Sequence, residues 1–339
     1  MCLMKTPARF WIIQSLLCVG LVQAQSSQPP AAPAPASPQN PPASNVVTPG
    51  AGPAANKPDE DQFTQRIFSN EVNLIFTVTD KHGRFIRDLK QNEFKILDNK
   101  KPPSVIRRFE AQTNLPLRVG LLIDASNSIR DRFLFEQRAA IEFLQQIIRP
   151  DTDKGFVIAF DEVPEVTQDF TSDRDLLTKG IKVIRPGGGT AMWDAIYFAC
   201  RDKLMKQREK ETTDVRNAII LVSDGDDNQS RALRQEAIEM AQRANVLIYA
   251  ISTNLSNIHD NGDHNLKLLA EATGGRAFFP FKLQDLADAF QEISGELRSQ
   301  YSVFYKPDQV QPNQFRTVEV VAQDKKLKVR AKKGYFTPK

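Results

Sequence analysis

LRVGLLIDASNS, residues 117–128, is the stretch that decides the fold. Its first seven residues are almost continuously apolar, as in a strand covered on both faces. The run then breaks into Asp124-Ala125-Ser126-Asn127-Ser128, small and polar residues where a buried strand hands over to a helix. That helix is expected over residues 130–148, where Phe133, Ala140, Phe143, Leu144 and Ile147 recur near period 3.6. Strands follow at 155–160 and 163–170, then a helix at 175–184, a glycine loop and a helix at 191–206. The alternation continues with a strand at 218–222, a helix at 231–244 and a strand at 246–251. It closes with a helix at 266–272, a short strand at 277–279 and a helix at 286–298. Only Asp161-Glu162 separates the second and third strands. A parallel crossover needs a dozen or more residues, so this pair forms an antiparallel hairpin. The middle of the chain therefore reads as α/β: a doubly wound, mostly parallel sheet with one antiparallel edge strand.

The pattern changes on both sides of this core. Upstream, VNLIFTVTD (residues 72–80) alternates apolar and polar, His82-Gly83 makes a turn, and short apolar runs recur at 85–86, 94–97 and 105–109. Downstream, similar runs lie at 301–305, 317–321 and 327–331. Neither flank has strands enough to close a core alone, so the two are expected to pair as a small β-sandwich-like domain around the inserted middle. The expected organisation is residues 61–114 and 300–339 as β-rich flanks and 115–299 as the α/β domain.

The start of the chain reads as an address and a tether. Lys5 and Arg9 precede a 13-residue, mostly apolar stretch at 10–22, and Ala24 ends it with a small residue. This is the layout of a signal peptide, residues 1–24, and spanning a bilayer would need ~20 apolar residues. A lipidated Cys18 ranks below simple export because Leu17 is bulky where that processing wants a small residue. The mature chain is thus expected to be secreted or periplasmic, with no transmembrane segment. Removing the signal leaves Cys200 as the one cysteine, read as a buried small hydrophobe rather than a nucleophile. Residues 25–56 hold 9 Pro and 8 Ala without a single charge, so 25–60 is expected to be an extended spacer. The whole sequence has 339 residues, 45 Lys+Arg against 41 Asp+Glu and a net charge of +4, too small an excess to argue for nucleic acid.

Three strand-end loops carry the chemistry. Asp124, Ser126 and Ser128 follow the first strand, Ser223-Asp224-Gly225 follows the strand at 218–222, and Pro186-Gly187-Gly188-Gly189-Thr190 opens a helix. In a doubly wound sheet these loops can converge on the crevice at the switch point. Carboxylates and hydroxyls are hard oxygen ligands, which select Mg²⁺, Mn²⁺ or Ca²⁺ over zinc or copper.

The chain resembles the von Willebrand factor type A domain with its metal-ion-dependent adhesion site. Asp124, Ser126 and Ser128 fit that family's Asp-x-Ser-x-Ser pattern, its threonine falls on Thr190, and its distant aspartate on Asp224. The flanks resemble those of secreted acidobacterial-type proteins that carry this domain. The resemblance implies that Ser126, Ser128 and Thr190 coordinate the ion, directly or through water, while Asp124 and Asp224 act by water or hydrogen bond. It also implies a vacant coordination position for an Asp or Glu carboxylate of a protein partner.

Duller explanations compete. Any one of these loops is explained by Ser and Asp capping the following helix, but three together are not. Asp226 and Asp227 read as solvated loop charges, and Trp193 as helix packing unless it is exposed beside the ion. His259, Asp260, Asp263 and His264 read as a polar surface loop rather than a second metal site. Lys325-Lys326 and Lys332-Lys333 read as charges that protect strand edges. An enzyme is not expected: the PGGGT loop lacks a P-loop lysine, there is no Gly-x-Ser-x-Gly turn, and Ser126 stands where a dehalogenase-type phosphatase needs its second acid. The main alternative to adhesion is a scaffold domain with a non-essential metal site. A metal-dependent hydrolase ranks below both.

Overall fold

A computed structural model describes residues 71–112, 115–127, 133–211, 213–254, 260–280, 282–308 and 310–338. The signal-peptide and spacer readings lie outside these residues, as do Ser128 and His259.

Strands β1 (Val72–Thr79), β2 (Phe94–Asp98) and β3 (Val105–Gln112) come first. The core follows with β4 (Leu117–Asp124), α1 (Phe133–Ile147), β5 (Lys154–Phe160), β6 (Pro164–Thr171), α2 (Arg174–Lys182) and α3 (Met192–Phe198). A π-helical stretch, Ala199–Met205, leads into the short α4 (Lys206–Arg208), so the single helix expected at 191–206 is wound in two ways. Then come β7 (Arg216–Ser223), α5 (Arg234–Arg243), β8 (Val246–Ser252), α6 (Asn261–Thr273), β9 (Ala277–Phe278) and α7 (Leu283–Leu297). The chain ends in β10 (Gln300–Lys306), β11 (Phe315–Ala322), β12 (Lys328–Ala331) and β13 (Gly334–Phe336).

The central sheet has six strands in the order β6-β5-β4-β7-β8-β9. All neighbours run parallel except the β5–β6 hairpin at one edge. Every residue of β4 and β7 is buried, as the apolar runs required. Alternate residues serve opposite faces: Leu117, Val119, Leu121 and Ile123 pack with α1 and α7, while Leu122 faces the layer built by α3, α5 and α6. Gly120 sits on that second face because the Phe156 ring occupies its side-chain space, 2.3 Å from where a Cβ would stand.

The flanks make two antiparallel sheets, β12-β1-β10-β3 and β13-β11-β2. In each, a strand from before the core pairs with one from after it: β1 with β10 and β2 with β11. Their inner faces share a cluster in which Phe76, Phe94, Phe109 and Tyr301 pack together with ring centroids 5.0–6.3 Å apart. Ile75, on the other face of β1, packs instead into the core of the central sheet.

Two element boundaries differ from expectation for local reasons. Helix α5 starts at Arg234 rather than 231, because the Asp194 carboxylate takes the Arg231 and Ala232 N–H groups and holds them in a loop. Residues 261–264 of the expected polar loop instead begin α6, where the Asp260 carboxylate accepts the Asp263 N–H at 3.0 Å. Among the described residues no helix is long and apolar enough to cross a membrane.

Candidate metal centre

β4 and β7 are the neighbours at which the winding of the sheet reverses. Loops leaving their carboxyl ends diverge and open a crevice. Asp124 is the last residue of β4 and is wholly buried. Its Oδ1 accepts the Ser126 N–H at 2.9 Å, and its Oδ2 accepts the Ser223 hydroxyl at 2.7 Å. Burial pushes its pKa up to about 6. Bonds from Ser223 and Ser126 pull it down, and the Asp224 charge adds to the rise. Among the described residues Asp124 has no basic partner. Asp224, just beyond β7, is half-buried, and its Oδ1 accepts the Asp226 N–H at 3.1 Å.

The glycine loop is sewn to both neighbours. Gly187 N–H donates to the Ala125 carbonyl at 2.6 Å, and Asn127 Nδ2 donates to the Gly188 carbonyl at 3.2 Å. Thr190 is buried; its N–H donates to Asn228 Oδ1 at 3.0 Å, and its carbonyl accepts the Asn228 and Gln229 N–H groups at 3.0 and 3.1 Å. Gly189 lets these strands of chain close up, since a Cβ there would lie 2.6 Å from the Gln229 side chain.

A second pair of glycines sets the loop of Asp224. Gly225 has φ +84°, and a Cβ on it would stand 2.2 Å from the Gly262 carbonyl oxygen in the first turn of α6. Asn265 Nδ2 donates to the Gly225 carbonyl at 3.1 Å, and Ser252 at the end of β8 donates to Asp263 Oδ1 at 2.6 Å. Asp260 and Asp263 are therefore occupied in starting α6, while His264 is exposed. Among the described residues no three His, Cys, Asp or Glu side chains gather as a metal-ligand group, so the candidate cup depends on hydroxyls.

Of the neighbours, Asp227 departs from the sequence reading, while Trp193 and Asp226 follow it. Asp227 is not a free loop charge: its Oδ2 accepts the Trp193 N–H at 3.0 Å and the Ser230 hydroxyl at 2.6 Å, which holds the first turn of α3. Trp193 is only 6% exposed and packs in the layer behind the sheet, so it is no rim contact. Asp226 is exposed, and its carboxyl lies above the ordinary range through partial burial and then the charges of Asp224 and Asp260. Cys200 is buried, and burial pushes its thiol pKa up, away from reactivity.

Asp124, Ser126, Thr190 and Asp224 thus lie on three loops stitched to one another, while Ser128 is outside the described residues. The sequence reading named Ser223 without a role and did not single out Asn228. A serine ending the apolar run at 218–222 was a visible signal for the first. Asn228 gave none, since it acts on a residue 38 positions away.

The model of the von Willebrand factor type A domain matches residues 119–296. No curated protein sequence matches the chain. Among solved structures it is similar to a von Willebrand factor type A protein from Catenulispora acidiphila, at 14% identity and TM-score 0.47, covering 74% of either chain. It is also similar to proximal thread matrix protein 1 from the mussel byssus, whose structure has a zinc-occupied MIDAS motif. That match has 16% identity and TM-score 0.47, covering 59% of this chain and 49% of that one. The PilB minor pilin from Streptococcus sanguinis matches at 12% identity and TM-score 0.43 over 56% of this chain. The match spans 62% of that pilin. With more than half of its length matched by the family model, and with that match covering the sheet and the three loops, the chain belongs to the von Willebrand factor type A domain family.

Proposed function

We propose that the protein is exported by residues 1–24 and works as a metal-dependent protein-binding module. A divalent cation, Mg²⁺ in the first instance and Mn²⁺ or Ca²⁺ otherwise, is held by Ser126, Ser128 and Thr190. Asp124 and Asp224 orient the ligands and supply the balancing charge. When bound, the cation offers a Lewis-acidic position to an Asp or Glu carboxylate of a partner protein. The observation that carries this reading is the pairing of a buried, unneutralised Asp124 with a second carboxylate and hydroxyls on stitched loops at the switch point. Such a hard-oxygen set fits these ions. The acidic rim of Asp224, Asp226 and Asp260 attracts a cation and repels an acidic partner until the cation is in place.

The chain's own residues do the preparatory work. Ser223 and the Ser126 amide fix both oxygens of Asp124, and Asn228 fixes the backbone of Thr190, so little ordering is left to the moment of binding.

A Mg²⁺ titration followed by the fluorescence of Trp193, behind the site, tests the reading in wild type, Asp124→Ala and Thr190→Ala. A saturable transition in wild type that both variants lose supports it. Pull-down of partners with and without chelator then separates adhesion from a scaffold with a dispensable metal. Partners retained equally under both conditions favour the scaffold, and a wild type blind to all three cations sinks the metal reading.

A further inference from the structure

At the amino-terminal edge of the central sheet, opposite the three loops, a cleft of about 870 Å³ opens between the flank strands and the segments leading into β7 and β8. Its charges do not balance. Glu71 is answered by Arg107 at 3.6 Å, Asp214 by Arg108 at 2.7 Å and Glu211 by Arg118 at 2.7 Å. Arg243 pairs with Glu239 at 2.7 Å, which leaves Lys332 and Arg208 on the cleft wall with no carboxylate partner among the described residues.

Lys332 is the unusual member. It was expected to guard a strand edge, yet it is only 7% exposed. The left-handed turn at Gly274, which ends α6, backs onto its main chain; a Cβ there would stand 2.6 Å from the Lys332 nitrogen. Among the described residues its ammonium meets neutral groups: Asn245 Oδ1 at 2.8 Å, the Asn73 carbonyl at 3.4 Å and the Tyr335 ring, 5.8 Å from its centre. Burial, and then the charge of Arg208, lower its pKa to about 8. An ammonium solvated by two amide oxygens and set against a second cation lacks its counter-ion. Phe304, Tyr335, Phe336 and Val310 line the same cleft, with the Arg108 guanidinium 4.0 Å from the centre of the Phe304 ring and that of Arg243 4.4 Å from the centre of Phe336.

We propose that this cleft binds a small organic carboxylate, its anionic end against Lys332 and Arg208 and its apolar body along the Phe304–Phe336 wall. The cleft volume falls in the range usual for small-molecule sites, roughly 300–1,000 Å³. This site is separate from the strand-end loops and needs no metal.

The test is calorimetric and thermal titration of the full chain, in chelator, with hexanoate and with its uncharged analogue hexanamide. Hexanoate is expected to raise the melting midpoint saturably and hexanamide to leave it unmoved. Lys332→Met, which removes a poorly solvated charge and keeps the stem, should fold and lose the response. Arg208→Gln, on the exposed side, should weaken hexanoate by about two- to fivefold. A wild type blind to hexanoate, an equal response to hexanamide, or an undiminished response in Lys332→Met would overturn the proposal. Should Lys332→Met not fold, the wild-type pair of ligands and Arg208→Gln still decide.

Discussion

Among the described residues the donors to Asp124 are all neutral, the Ser223 hydroxyl and the Ser126 amide and side chain, so the residue's cost of burial rests on Ser126 and Ser223. Replacing Ser223 by Ala leaves Oδ2 without its hydroxyl in a dry site. We expect the chelated variant to lose about 1–3 kcal/mol in urea unfolding. A midpoint equal to wild type would mean that the hydroxyl does not support the carboxylate. The glycines give a paired test. Gly225→Ala must adopt φ +84° and drive a methyl into the Gly262 carbonyl, so a loss above about 2 kcal/mol is expected. Gly187→Ala meets nothing within 4 Å and should change stability by less than about 0.5 kcal/mol. At this scale the candidate site is legible where its residues are close in sequence. Asp124, Ser126 and Ser128 stand within five positions, whereas the Gly225–Gly262 crossing joins a loop to a helix start that no spacing rule links.

Among the elements, β4, α1 and α7 meet at a clasp built on Asp153. Its buried carboxylate accepts the Leu117 N–H at 2.8 Å, the Arg149 N–H at 2.9 Å and the Arg298 guanidinium at 2.5 Å. Burial pushes its pKa up, but the bonds from Arg149, Leu117 and Arg298 outweigh it and hold the carboxyl below its ordinary range. A depressed carboxylate contributes stability above its unfolded pKa and loses it as pH falls through the folded one. Asp153→Asn should therefore cost about 1–3 kcal/mol at pH 7, discounted because both arginines are partly solvated. It should also flatten the loss of stability that wild type shows below about pH 4. Equal acid curves for the two proteins would reassign that loss to other carboxylates. Strand and helix order were legible here because buried strands and amphipathic helices have different periods. Helix starts were not: Asp194 reaches 37 residues ahead to delay α5, and Asp260 begins α6 inside what composition marks as a loop.

Over the whole molecule, the flanks and the central sheet meet across a polar layer. Glu296, near the end of α7, is buried and paired with Arg330 of β12. It also accepts the Tyr249 hydroxyl of β8 at 2.9 Å. Gln300 of β10 donates to that same hydroxyl at 3.0 Å. With Ile75 shared between cores as well, the flanks and sheet should unfold as one cooperative transition in calorimetry. Glu296→Ala leaves Arg330 short of its carboxylate and should lower that transition or split it in two. An unchanged single peak would show that the layer contributes little. That short strands at both ends of the chain would form antiparallel sheets could be read from turn spacing. The alternation of flank and core strands within one polar seam could not, because Glu296 and Arg330 look in sequence like ordinary surface charges. One geometric fact reaches further. Glu71 and Pro338 line the same cleft at one pole of the sheet, while Asp124, Thr190 and Asp224 crown the other. Handle and lantern sit at opposite ends: a sensor chip or bead coupled through the carboxy-terminal residues should hold the oxygen cup turned outward, unshadowed by its own mount.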